Sequence, residues 1–240
     1  MGKNKKNSLK RERNQKAKLK RQRRKRLTLI IAFAALIIAV TVVAIIVNNP
    51  PERVFKYDKG AYIDPDSGKT YCPADTSAYL IRTEFYKSNY YGKMDGDRVY
   101  TIPGVKNKSW LVRKLTDDLY QLYYEESVTL PTISEFEAAG LFLFIDSPLI
   151  INREEITDKT KIDSIVSLLT NGEKLEKIEG ATEIYSIRFV SEKYGHMYFC
   201  FEYVMTENGS YFYDHLSFSY IKSNGILDEY AASLKENSGE

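Results

Sequence analysis

The longest apolar run in the chain is Leu27 to Val47, twenty-one residues without a charge. At a rise of about 1.5 Å per residue, such a helix covers roughly 30 Å, the hydrocarbon thickness of a bilayer. The run predicts one transmembrane helix over 27–47. Its two polar residues, Thr28 and Thr41, can return their hydroxyls to helix carbonyls, so neither strands a polar group in lipid. Asn48-Asn49-Pro50-Pro51 stops the helix, since proline cannot continue it and biases the residue before it toward extended geometry. A stalk over 48–56 follows.

Beyond the stalk the pattern changes to short runs of aromatic and β-branched residues separated by turn signals. Tyr57 to Ile63 and Lys69 to Cys72 flank Asp64-Pro65-Asp66-Ser67-Gly68 and predict a hairpin. Ala78 to Tyr91 and Arg98 to Ile102 are joined through Met94-Asp95-Gly96-Asp97. Trp110 to Leu115 and Leu119 to Tyr124 are joined through Thr116-Asp117-Asp118, which makes a meander. Thr132-Ile133-Ser134-Glu135 is a capping box, and Ala138-Ala139-Gly140 closes the short helix it predicts. Leu141 to Ile145 is apolar at every position and too short for a helix, so it predicts a strand buried on both faces. After Pro148 a helix is predicted from Thr157 to Leu169, with Ile162, Ile165, Val166 and Leu169 on one stripe and Asn171-Gly172 as its stop.

Glu183 to Val190, His196 to Met205 and Tyr211 to Ile221 then read as three strands, the last two joined by Asn208-Gly209. A terminal helix opens after Asn224-Gly225, turning Ile226, Leu227, Tyr230, Ala231 and Leu234 inward, with 237–240 as a frayed tail. Strands and helices in separate runs predict an α+β fold. The expected architecture is one domain over 57–236, mainly antiparallel sheet with about three helices.

Charge gives this layout a direction. Residues 1–26 hold fourteen Lys or Arg and one acid, a net of +13. Removing them from the 35 basic and 32 acidic residues of the whole chain leaves 21 and 31, a net of −10 beyond the tail. Basic residues abutting a span stay on the cytoplasmic side, which predicts a cytoplasmic tail and an extracytoplasmic domain at the plasma membrane. The tail suits anionic headgroups, at roughly 1 kcal/mol per basic residue near the surface. It has no aromatic residues to stack on bases, so nucleic acid is not the expected partner. Val42-Val43-Ala44 offers a weak cleavage pattern, but the apolar run continues through Ile45-Ile46-Val47, which favours a retained anchor.

The candidate chemistry is sparse. Ser67-Gly68-Lys69-Thr70 resembles the end of a phosphate loop, but Ile63 stands where that loop needs glycine. Asp64-x-Asp66-x-Gly68 hints at calcium without the later bidentate acid. The chain has two histidines, His196 and His215, and no zinc or nucleophile-elbow motif. No metal or cofactor is expected. Cys72 and Cys200 both fall beyond the span, where oxidation is possible, so one bridge is allowed.

Taking Asn208-Gly209 as the turn pairs Glu207 with Ser210, Met205 with Phe212, Phe201 with Leu216, Phe199 with Phe218 and Met197 with Tyr220. It also sets Glu202 across from His215, with Cys200 diagonal to it. These three are the only predictable nucleophile constellation, although a Glu-His cross-strand pair is also an ordinary surface feature. The tyrosine surplus fits strand propensity first and a sugar-stacking platform second. Together these features predict a membrane-anchored envelope protein whose outer domain has a non-enzymatic interaction, sensing or assembly role with an envelope protein or glycan. The alternatives are a glycan-binding module and an envelope hydrolase or transferase.

Overall fold

The computed structural model describes residues 33–42, 52–82, 89–116, 119–146 and 151–238. They divide between two compact units, Met1–Glu52 and Arg53–Glu240. In the first, residues 33–42 form an exposed helix, α1, in which Thr41 donates its hydroxyl to the Ile37 carbonyl at 2.8 Å. Among the described residues no helix is long and apolar enough to cross a membrane, so a spanning helix over 27–47 is not supported here. The remainder of that run, the 1–26 tail, Val43-Ala44 and Asn48 to Pro51 lie outside the described residues.

The second unit is α+β, and every pairing between its named strands is antiparallel. The first sheet is built from Lys56–Asp58 (β1), Ala61–Ile63 (β2), Thr70–Pro73 (β3), Tyr90–Met94 (β5), Asp97–Thr101 (β6), Trp110–Lys114 (β7) and Tyr120–Glu125 (β8), in the order β1-β2-β3-β8-β7-β6-β5. Asp95 and Gly96 both take positive φ, 49° and 91°, the geometry a two-residue hairpin turn requires. Tyr57 to Ile63 is not one strand. Lys59 and Gly60, at φ 49° and 90°, fold it into a hairpin of its own. The stretch Ala78 to Tyr91 also divides: Tyr79–Ile81 (β4) leaves for the second sheet, and residues 83–88 lie outside the described set.

Strand β7 is buried on both faces. Trp110 and Val112 enter the main core, whereas Leu111 joins Phe55, Tyr62, Tyr71, Met94, Val99 and Tyr123 in a smaller cluster on the opposite face. Phe55 reaches that cluster because residues 53–55 are packed against β5. The Phe55 amide donates to the Lys93 carbonyl at 2.9 Å, and the Lys93 amide to the Arg53 carbonyl at 2.8 Å. Gly92 makes room for this strap, since a Cβ there would stand 2.5 Å from the Arg53 carbonyl oxygen.

The second sheet comprises Ala138–Asp146 (β9), Ile151–Ile156 (β10), Lys174–Leu175 (β11), Ala181–Ser191 (β12), Met197–Thr206 (β13), Gly209–Asp214 (β14) and Ser219–Lys222 (β15). Its order is β10-β9-β12-β13-β14-β15-β11, with β4 also on β13. Helices Lys159–Asn171 (α2) and Asp228–Ser238 (α3), with Leu227 just ahead of α3, bury Ile162, Ile165, Leu169, Leu227, Ala231 and Leu234 in the same core as Leu141, Leu143, Ile187, Phe199 and Phe201. The both-faces burial predicted for 141–145 is present: Leu141 and Leu143 look into that core, and Phe142 and Phe144 are buried on the other side. Asp158 caps α2, accepting from the Thr160 and Lys161 amides.

Four expectations change here. The capping box forms, with Glu135 accepting from both the Thr132 amide and its hydroxyl at 2.9 Å, but it holds a single turn rather than a helix. Glu137 at φ 55° ends that turn, and Ala138 and Ala139 go to β9. Strand β10, with the polar centre Asn-Arg-Glu-Glu, appears ahead of α2, while Pro148 lies outside the described residues. Tyr211 to Ile221 breaks at 215–218 into β14 and β15, and Phe218 takes φ 50° at the turn. Helix α3 starts at Asp228 and runs through Ser238, two residues into the stretch read as frayed, and 239–240 lie outside the described set.

Candidate binding face

The hairpin that carries the predicted constellation has a different register from the predicted one. Thr206 pairs with Gly209, Met205 with Ser210, Tyr203 with Phe212 and Glu202 with Tyr213. The turn residues are therefore Glu207 and Asn208. Thr206 holds the turn by accepting from the Asn208 amide at 3.1 Å and donating to the Gly209 carbonyl at 2.9 Å. This two-residue slip corrects each predicted pair. Because the strand period is two, it leaves the β13 and β14 side chains on their predicted faces, whereas past the break at 215–218 Tyr220, predicted opposite Met197, lies across from Tyr213 on the other face. Past β14, β13 is paired with β4, which sets Phe199 against Tyr79 at a ring separation of 5.0 Å.

His215 and Glu202 still meet, with Nε2 and Oε1 3.5 Å apart and the Tyr213 ring edge-on to the imidazole at 5.0 Å. Cys200 does not complete a nucleophilic site. Its backbone amide donates to the Ala78 carbonyl, its side chain is 7% exposed, and burial pushes the thiol up to about 12 despite the Arg188 charge nearby. A nucleophilic cysteine needs the opposite shift. Cys72 sits in the other sheet, paired with Tyr124, and both cysteines are free thiols.

The decoy motifs in the β2–β3 turn are absorbed by the protein itself. Asp64 is fully buried. It accepts from the Tyr91 hydroxyl at 2.6 Å, the Ser67 hydroxyl at 2.8 Å and the Asp66 amide at 3.0 Å, with Arg53 Nε 3.3 Å away. Burial alone would raise this carboxyl, but the three hydrogen bonds and the Arg53 charge hold it below the usual carboxylate range. Lys69 donates to Glu125 at 2.6 Å and to the Asn107 carbonyl at 3.0 Å. Among the described residues no three His, Cys, Asp or Glu side chains group as a metal site.

Two concavities lie away from the His215 face. One, of about 530 Å³, has Glu137 and Asp163 on its wall, but Lys193 and Lys159 pair with them, so these two acids are not free to flank a glycosidic bond. The other, of about 440 Å³, includes His196 beside Trp110, with ring centroids 5.2 Å apart. Burial drives that imidazole down to about 4, so it is neutral at physiological pH. Its Nε2 has no hydrogen-bond partner among the described residues.

The most developed surface is the face of the second sheet that turns away from α2 and α3. Cross-strand pairing lines up Arg153, Phe144, Ser186, Glu202, Tyr213 and Tyr220 in one row from β10 to β15. The adjoining row holds Phe142, Arg188 and Cys200. Diagonal stacking links them: the Arg188 guanidinium lies 4.4 Å from the Phe144 centroid and that of Arg153 5.0 Å from Phe142. Arg82, just past β4, stands 5.8 Å over Tyr198. Sequence reasoning misses this group because its members come from six strands and the end of β4, spread over the chain from Arg82 to Tyr220. The one legible signal is the set of apolar side chains on both faces of β9.

No protein-family model, curated protein or solved structure matches this chain.

Proposed function

We propose that the chain is a single-pass protein of the plasma membrane, with the basic tail in the cytoplasm and the 53–240 domain outside, and that the domain recognises an envelope component without transforming it. The face of the second sheet that no described helix covers carries this reading. It presents arginines and tyrosines on a fixed platform, while the one nucleophile candidate beside it, Cys200, is buried and neutral. Charge asymmetry and the length of the 27–47 run support the topology.

The test uses cells carrying the full chain with a photo-cross-linking residue at Tyr213 or, as a comparison, at the exposed Tyr57 of the first sheet. Protease added to intact cells is expected to remove the domain and spare the tail, and the Tyr213 probe alone is expected to give an adduct. A protected domain reverses the topology. Equal adducts from the two sites, or none from Tyr213, reject the face.

A further inference from the structure

We infer that the open face of the second sheet binds an anionic glycan, with Arg82, Arg153 and Arg188 taking its carboxylate or phosphate groups and Tyr198 and Tyr213 its sugar rings. This rests on the recognition role proposed above and supplies its ligand class.

The first observation is the state of the three guanidiniums. Phe144, Phe142 and Tyr198 form a continuous aromatic track, with successive centroids 6.1 and 6.4 Å apart, and each ring carries one arginine on its face. Stacking fixes a guanidinium and leaves its N–H edges free to grip an oxyanion with two parallel bonds. Among the described residues none of the three has a carboxylate in ion-pairing range. Arg53 and Arg113, by contrast, are both held by aspartates. Of the acids on this face whose side chains are described, Glu202 faces His215 at 3.5 Å, and Glu155, across from Phe142, makes no ion pair with any of the three.

The second observation is distribution. Beyond residue 47 the chain carries a net of −10 and six arginines, three of which are on this one face. Half of the domain's arginines, stacked on one face of a negative domain, indicate a local anionic ligand. A flat anionic bilayer would meet the repulsion of the whole domain, whereas a single polymer strand meets only the face.

Geometry then selects a glycan over a peptide. Arg153 extends from β10, Arg188 from β12 and Arg82 from the end of β4, each two strands, roughly 10 Å, across the sheet from the next and displaced along the strands as well, in the rows of Glu202, Cys200 and His196, so the three lie on a diagonal. An extended polymer crossing the strands would meet one cation for each short run of sugars. Tyr213 and Tyr220, 4.8 Å apart, continue the surface with ring faces and hydroxyls suited to sugars. The middle of a sheet has no free backbone groups with which to pair a peptide strand.

The experiment measures binding of the full chain in phosphatidylcholine nanodiscs to oligogalacturonate, to its methyl ester and to dextran phosphate, at fixed salt. Wild type is expected to bind at least one of the two anionic polymers about tenfold or more above the ester. The triple variant R82Q/R153Q/R188Q is expected to lose that margin, although it keeps the basic tail. The triple lysine variant should recover only part of it, because lysine keeps the charge without the planar fork. Arg98→Gln, at an exposed arginine of the first sheet, should change nothing, and unchanged Trp110 fluorescence confirms folding.

The inference is overturned if wild type shows no preference for charge, if the triple glutamine variant stays within about twofold of it, or if Arg98→Gln costs as much. It is equally overturned if phosphatidylglycerol vesicles compete better than either polymer. Any of these results, together with a positive cross-link from Tyr213, removes the ligand class and leaves the recognition role standing.

Discussion

Replacing Asp64 by asparagine tests whether the buried carboxylate, rather than the shape of the turn, fixes the entry of the chain into its domain. One oxygen, Oδ2, accepts from the hydroxyls of Tyr91 and Ser67; the other, Oδ1, accepts from the Asp66 amide and faces Arg53 Nε. The hydroxyls can turn, but the amide and the guanidinium can only donate. The carboxamide introduced by Asp64→Asn must therefore direct its NH2 at Tyr91 and Ser67, which leaves the Tyr91 hydroxyl hydrogen without its acceptor. Losing charge assistance on two contacts costs about 1 kcal/mol each, and the orphaned hydroxyl about 1 more, for a total of roughly 2–4 kcal/mol. In a domain of this size, that lowers Tm by about 4–16 °C.

Urea unfolding followed through Trp110, the only tryptophan, provides the assay. The pH dependence follows from the lowered folded-state pKa of Asp64. Its stabilisation is complete above the unfolded value of about 3.9 and is lost as pH falls through the folded value. Wild type and D64N should therefore differ by a constant amount from neutral pH down to about pH 5 and converge as pH falls through the lowered folded-state value. A difference under about 1 kcal/mol at pH 7 refutes the reasoning, as does an undiminished gap in acid or an equal cost from Asp66→Asn at an exposed position.

Two further expectations concern single side chains. With a thiol pushed up to about 12 against an ordinary 9.0, Cys200 holds about a thousandfold less thiolate than an ordinary cysteine at neutral pH; the Cys72 thiol is raised too, by burial and by Glu126, but it is only half-buried, so iodoacetamide should label Cys72 first in the folded chain; faster labelling of Cys200, lost in His215→Ala, would restore the nucleophile. Tyr203→Phe removes the hydroxyl that donates to Asp228 at 2.5 Å and joins Ser210 and Ser223 in a buried network, and should cost about 1–3 kcal/mol in the same urea assay, whereas a neutral result would show that the serines satisfy each other.

Much of the domain follows from local chemistry. Asp95-Gly96 forms its hairpin, the apolar stripe at Ile162, Ile165 and Leu169 faces the core, and 141–145 is covered on both sides, because in each case the deciding interaction spans a few residues. Where two local signals compete, the more conspicuous one misleads. Lys59-Gly60 is a turn inside an alternating run, and the capping box at Thr132 is satisfied within a single turn while the pull of β9 on Ala138 ends it. The Asn208-Gly209 register differs by two because Thr206 anchors the turn one step earlier and β4, distant in sequence, occupies the edge of β13 expected for Leu216 and Phe218. The candidate face is invisible in sequence for the same reason: arginine on phenylalanine is a cross-strand fact, and no window along the chain contains it.

The same side-chain pair serves two purposes in the one domain, and the difference lies in what surrounds it. Arg53 stacks on Tyr91 at 4.0 Å and Arg113 on Tyr62 at 5.5 Å, but Asp64 and Asp66, or Asp95 and Asp97, neutralise them, so each stack fastens the first sheet to itself. On the second sheet the stack is present without aspartates among the described residues. Arginine stems there cover Phe142 and Phe144, which keeps two large rings out of water, while the guanidiniums have no ion-paired carboxylate among the described residues. Leucine or methionine would cover those rings at less electrostatic cost if stability were the only demand on the positions. Covering rings with such cations is what the proposed anionic ligand would require, and packing alone does not account for the choice of arginine at these positions.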